Sequence, residues 1–205
     1  MILYGRNLSP FTRRVAIWCA LQGRTVEQIG LAMTEPKDVE AITAVHPGTR
    51  VPALKLDDGT VLIDSFAICD WLEQTAPPGR RLVPAGGVPR RDCLNRLAMA
   101  HATAEKIVAL VYEKNRRPEE FHWPAWQERL VGQIRGGFAA MEAAAPVEGF
   151  HGGAAPDGSD VAAICAYQMG QATNSWLLDP GYPKLAGLVA RAMEIAAVAE
   201  TNPAA

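Results

Sequence analysis

Residues 46–72 narrow the folds open to this chain more than any other stretch. Two short apolar runs, 53–56 and 61–63, flank Asp57-Asp58-Gly59, and Asp-Gly between such runs signals a hairpin. Val51-Pro52 stands at the mouth of the first run, where a proline contributes no ladder donor. A cis bond before Pro52 would turn the Val51 N–H and C=O toward solvent, where a short extended peptide can dock by strand addition. After the second run, Asp64-Ser65 precedes the apolar-periodic segment Phe66-Ala67-Ile68-Cys69-Asp70-Trp71-Leu72. A helix starting there offers unpaired N–H groups and a positive dipole end, which suit a carboxylate. Singly, these features read as a plain turn and an ordinary N-cap. Together they form a backbone clamp and a carboxylate seat, a pair that a small peptide with a free carboxylate can use.

The preceding residues fit around that hairpin. Residues 1–4 read as a buried strand and Ser9-Pro10 as N-cap and first position of a helix that ends at Gly23. Residues 26–31 read as a second strand and 36–45 as a short helix. The order β-α-β-α-β-β-α is that of a thioredoxin-like α/β domain, with the hairpin adding an antiparallel pair. Four prolines and three glycines fall within residues 76–89, which marks a linker. The expected organisation is a domain over 1–77, a linker over 78–88 and an all-α domain over 89–205. In the latter, Leu94, Leu97, His101, Glu105, Val108 and Tyr112 recur at helical spacing after Pro89. A second helix is expected over 123–144, loosened at Gly136-Gly137. A third starts with Asp157 as N-cap and Asp160 at N3, and a last one covers 180–199.

Composition excludes several function classes. Apolar residues make up 49 % of the 205, enough for a substantial core. The net charge of −2 gives no general attraction to nucleic acid or acidic membranes, so neither is expected as a partner. No stretch approaches the length of a membrane span. Cys19, Cys69, Cys93 and Cys165 lie far apart in apolar contexts and read as small buried hydrophobes, which fits a reducing cytoplasm. His101, His122 and His151 lack metal-ligand spacing, and no metal site is expected.

Val51-Pro52, Asp64-Ser65 and the segment Ser9-Pro10-Phe11-Thr12-Arg13-Arg14 resemble the glutathione transferase family, specifically over residues 1–75 and more loosely beyond. The resemblance implies that Val51-Pro52 holds the cysteinyl backbone of glutathione and Asp64-Ser65 its γ-glutamyl end. Arg50 is the candidate for the glycyl carboxylate. Arg13 and Arg14 read either as helpers of the anionic tripeptide or as solvated charges on an exposed helix, and His46 as a residue that shapes its loop. Ser9 matches the position of a catalytic residue. Glutathione brings its own thiol, so Ser9 need only favour the thiolate; as a pure N-cap it would have no such role. Phe11, Met99, Ala102, Tyr112 and Trp176 are candidates for an apolar electrophile pocket. Glutathione is thus the expected co-substrate of a homodimeric, cytoplasmic detoxification enzyme that transfers alkyl or aryl groups. Glutathione-dependent isomerisation or dehalogenation is one alternative on the same fold; a non-catalytic binding or regulatory protein is another. The family's Ser/Thr-x-x-Asp box in the second domain appears here with Asp157 in place of Ser/Thr.

Overall fold

Four three-residue strands make one sheet. β1 (Ile2–Tyr4) pairs in parallel with β2 (Glu27–Ile29) and antiparallel with β3 (Ala53–Lys55), whose far edge pairs antiparallel with β4 (Val61–Ile63). The order is β2-β1-β3-β4. Three helices belong with these strands: α1 (Pro10–Leu21), α2 (Pro36–Val45) and α3 (Ser65–Gln74). The computed structural model describes residues 1–179 and 181–203. It separates into two units, Met1–Leu82 with the residues from Ala196 onward, and Val83–Ile195.

The first unit is the thioredoxin-like α/β arrangement that the element order predicts. Its core is Leu3 and Leu54 of the sheet with Val15, Ile17 and Trp18 of α1 and Ile68 and Leu72 of α3, all fully buried. α1 is buried along almost its whole length, from Thr12 to Cys19. Arg13 and Arg14 are therefore not solvated charges on an exposed helix: they are only 1 % and 2 % exposed. Arg13 donates to the Val198 carbonyl (3.1 Å) and the Thr201 hydroxyl (3.3 Å), which ties the chain around α8 (Ala196–Ala199) to α1. This is why the residues from Ala196 group with the first unit, whereas the sequence reading assigns everything from 89 to 205 to the second. Glu73, 7 % exposed, accepts hydrogen bonds from Trp18 Nε1 (2.8 Å), Gln22 Nε2 (3.0 Å) and Leu82 N–H (3.0 Å), so one carboxylate joins α1, α3 and the segment that follows.

The second unit is helical: α4 (Gly87–Asn115), α5 (Pro124–Ala144), α6 (Gly158–Asn174) and α7 (Pro183–Ala192), with short 3₁₀ turns at Glu119–Phe121 and Ser175–Leu178. α4 begins before Pro89, which falls in the first turn where a missing N–H goes unnoticed. Its buried face is Cys93, Leu97, Ala100, Ala104, Ile107 and Leu110. This lies about one residue away from the expected stripe, leaving Leu94 38 % and Tyr112 47 % exposed. Ala100 and Ala104 share this face with the larger Leu97, Ile107 and Leu110, and α5 and α6 pack against α4. Gly136-Gly137 does not loosen α5: a Cβ at Gly137 would fall 2.0 Å from Thr103 Oγ1, so this glycine is a crossing point between α4 and α5. The single helix expected over 180–199 is two, α7 and α8, separated at residues 193–195; Pro180 lies outside the described residues. No helix among the described residues is long and apolar enough to cross a membrane.

Candidate functional site

The strand register alone gathers three segments at one margin of the sheet. Tyr4 pairs with Ala53 and Ala53 with Ile63, so these three residues form a row across β1, β3 and β4. Gly5 to Ser9 follow Tyr4, Val51-Pro52 precede Ala53, and Asp64-Ser65 follow Ile63, all beyond the same row. Gly5 shows how tight this is. Its φ is +128°, and a Cβ there would meet Thr12 Oγ1 at 2.4 Å and Val51 Cβ at 3.0 Å. Only glycine combines that backbone with that contact. The first turn of α1 and Val51 thus close on Gly5 from two sides.

Each segment carries an uncommitted polar group. The Val51–Pro52 bond is cis, as the sequence reading anticipates. The N–H and C=O of the partly buried Val51 make no hydrogen bond among the described residues. Ser9 is the N-cap of α1 and its Oγ accepts the Thr12 N–H at 3.3 Å, which leaves its own O–H free to donate. Asp64 caps α3 by accepting the Phe66 N–H at 2.8 Å, from a backbone at φ +66° that few non-glycine residues adopt. Ser65 Oγ accepts a hydrogen bond from Arg14 Nη2, and the arginine lies over the Phe66 ring, 4.8 Å from its centroid. Arg50 is exposed and has no acidic partner among the described residues. His46 shapes the preceding loop by accepting the Gly48 N–H on Nδ1 at 3.0 Å.

The expected electrophile residues are not gathered in the same way. Phe11 is partly buried on α1. Within the helical unit, Met99 lines an apolar cavity of about 40 Å³ with Met141, Leu185 and Leu188. Trp176 lines a different, open cleft with Leu110, Val131 and Arg135. Ala102 and Tyr112 are exposed and line neither.

The cysteines lie in the interior rather than at this margin. All four cysteines are buried; burial pushes the Cys19 thiol up to about 11 and, with Asp157 nearby, that of Cys93 up to about 12. Both therefore stay protonated at neutral pH. Arg14 is the site residue whose burial the sequence reading did not settle. The available signal was its place beside Arg13 within an otherwise apolar helix, where a charge must find a reason to be buried.

Comparison with known proteins finds likeness in sequence and in fold. Residues 3–81 match the family model described as Glutathione S-transferase, N-terminal domain. The chain is 32 % identical over 78 residues to Glutathione S-transferase GstA of Escherichia coli O157:H7, a match spanning 38 % of either chain. A glutathione S-transferase from Methylobacillus flagellatus KT, solved with glutathione bound, superimposes with a TM-score of 0.86 at 26 % identity over 98 % of both chains. Maleyl pyruvate isomerase, a bacterial glutathione S-transferase in Zeta class, superimposes at 0.79 with 25 % identity over 100 % of this chain and 97 % of its own. With Val51-Pro52, Asp64-Ser65 and the capping Ser9 on one sheet margin, inside the segment that the family model covers, residues 3–81 are a glutathione S-transferase N-terminal domain.

Proposed function

We propose that this protein is a glutathione transferase that binds the tripeptide along the Tyr4–Ala53–Ile63 margin and presents its thiolate to a small apolar electrophile. The observation that carries the reading is the convergence of three segments on that margin, each with a polar group left uncommitted. In this reading the Val51 N–H and C=O pair with the cysteinyl backbone. Asp64 and Ser65 hold the γ-glutamyl end, and Arg50 takes the glycyl carboxylate. Ser9, a catalytic residue here, donates its hydroxyl hydrogen to the sulfur. A free thiol ionises near about pH 8.5, and a hydroxyl donor at a helix N-terminus lowers that value. The sulfur then bonds to the electrophilic carbon as the leaving group departs with its electron pair, helped by the proximity of two held reactants. Phe11, Met99, Ala102, Tyr112 and Trp176 remain the proposed electrophile contacts. The glutathione bound in the Methylobacillus flagellatus relative supports the choice of ligand.

A homodimer through α3 and α4 fits the exposed apolar side chains Phe66 and Leu94. Sedimentation showing only a 22.1 kDa species at micromolar concentration would count against it. The likeness to maleyl pyruvate isomerase supports a second reading, glutathione-dependent isomerisation at the same thiolate. Calorimetric titration with glutathione tests the common premise. Binding at or below millimolar ligand is expected; no heat at millimolar ligand would leave a non-catalytic transferase-fold protein.

A further inference from the structure

Arg14 is a buried cation without a counter-ion among the described residues. Only 2 % of it is exposed, and its Nε is buried without a hydrogen-bond partner. It makes no ion pair with a carboxylate among the described residues; its recorded contacts are the Ser65 hydroxyl and the Phe66 ring. Arg13 beside it is satisfied differently, by the Val198 carbonyl and the Thr201 hydroxyl. Burying a guanidinium without a neutralising partner is strongly unfavourable. Here the first turn of α3 adds further positive partial charge, of which Asp64 takes up the Phe66 N–H, and the remainder favours an incoming anion.

We infer that Arg14 is the positioning residue of the carboxylate seat at the start of α3. The inference rests on the glutathione reading and deepens it, since the anion in question is the carboxylate of the γ-glutamyl end. Arg14 acts in two ways. By donating to Ser65 Oγ it occupies a lone pair of the serine, so the Ser65 hydroxyl hydrogen is the part left to point at a ligand. It also places a desolvated positive charge one serine away from the seat, where low local dielectric strengthens its pull. The Phe66 ring fixes the guanidinium plane.

The test compares two ligands. Glutathione carries the γ-glutamyl carboxylate; cysteinylglycine lacks the whole γ-glutamyl group and keeps the contacts to Val51 and Arg50. Dissociation constants for both are measured by calorimetry in the wild type, Arg14→Met, Arg14→Lys, Ser65→Ala and the double variant Arg14→Met/Ser65→Ala. Losing a charge-assisted seat should raise the glutathione constant of Arg14→Met about tenfold or more. The cysteinylglycine constant should stay within about threefold, as expected for a distant independent contact. Arg14→Lys, which keeps a charge and a donor but not the fork, should fall between wild type and Arg14→Met. In the double variant the two losses should overlap rather than add, because one residue acts through the other. Equal losses for both ligands, additive losses, or an unchanged glutathione constant would overturn the role of Arg14. If Arg14→Met does not fold, the selectivity of the loss in Arg14→Lys decides. If the wild type binds neither ligand, the glutathione reading fails and this inference falls with it. If the wild type binds and the ratio does not move, only the inference falls.

Discussion

The starts of α3 and α6 are built from the same parts and finished differently. Each has an aspartate N-cap, a serine in the first turn and an arginine that reaches the serine from another helix. At α6 everything is closed. Asp157 accepts from the Ser159 and Asp160 N–H groups and from the Ser159 hydroxyl. Arg96 donates to Ser159 Oγ at 3.1 Å and pairs with Asp157 at 3.2 Å. Asp160 accepts from the Asp157 N–H (2.9 Å) and contacts His151 Nδ1 (2.6 Å), whose Nε2 lies 3.0 Å from the Ala144 carbonyl. At α3 the arginine has no carboxylate partner among the described residues, and the serine has a hydrogen to give. The closed start reads as scaffold; the start with an unpaired buried cation beside it is the one we propose as a place for a ligand.

The comparison breaks most visibly through Asp160. It is only 1 % exposed, and Asp160→Ala strands the Asp157 N–H and the His151 ring together. A loss of about 1–3 kcal/mol in unfolding free energy is expected in urea titrations, the cost of leaving a buried donor without its acceptor. Glutathione affinity of the folded variant should not change. Wild-type stability with weak binding would reverse the two assignments.

Ser65→Ala is the matching change at the open start. About 1.5–3 kcal/mol of charge-assisted bonding disappears from the bound state, so the glutathione constant should rise tenfold or more. Its unfolding free energy should fall by less than that of Asp160→Ala. Calorimetry beside denaturation gives both numbers, and an unchanged constant would remove α3 from the site.

Ser9→Ala probes the third helix start. The thiol pKa of bound glutathione should rise, with each unit removing about 1.4 kcal/mol of preference for the thiolate. Losing the cap itself costs about 1 kcal/mol of stability. Thiolate absorbance followed against pH in wild type and variant separates the roles: superimposable curves would leave Ser9 as a cap alone.

The smallest effect expected is the pH dependence of the closed start. The hydrogen bond to Asp160 holds His151 above its ordinary value of 6.5, against the opposing effect of burial. A group raised on folding stabilises fully below its unfolded pKa and loses that contribution as pH rises through the folded value. Stability should therefore decline in part as pH rises above 6.5, and His151→Phe should flatten that portion. Asp157 acts in the other direction. Burial pushes its carboxyl up, but hydrogen bonds from Ser159 and Asp160 and the charge of Arg96 outweigh this and hold it below 3.8, so its contribution is lost in acid. A wild-type curve that rises with pH above 6.5 would contradict the assignment of His151.

What could be read from the sequence was local. The caps at Ser9, Asp64 and Asp157, the Asp-Gly hairpin and the helix over 36–45 all depend on residues within a few positions of one another, and each is in place. The features that escaped depend on partners far along the chain. Arg13 and Arg14 look like surface charges until Thr201 and Ser65 are seen beside them. The role of Glu73 needs Trp18 and Leu82. Gly136-Gly137 reads as a weak point unless Thr103 is known to lie against Gly137. The packed face of α4 includes Cys93, Ala100 and Ala104 beside Leu97, Ile107 and Leu110, and a search for large apolar residues passes over the small ones. The three segments of the site were legible one by one. Their meeting required the register Tyr4–Ala53–Ile63, which no single segment encodes.

The bonds from Arg13 to Val198 and Thr201 carry a consequence for how the molecule is made. During synthesis the first eighty or so residues leave the ribosome long before residues 196–203 do. Until then the Arg13 guanidinium has neither of those acceptors, so the unit that emerges first is among the last to be finished. A nascent chain halted between Leu82 and Ala196 should carry a sheet unit more open to protease around α1 than the released protein does.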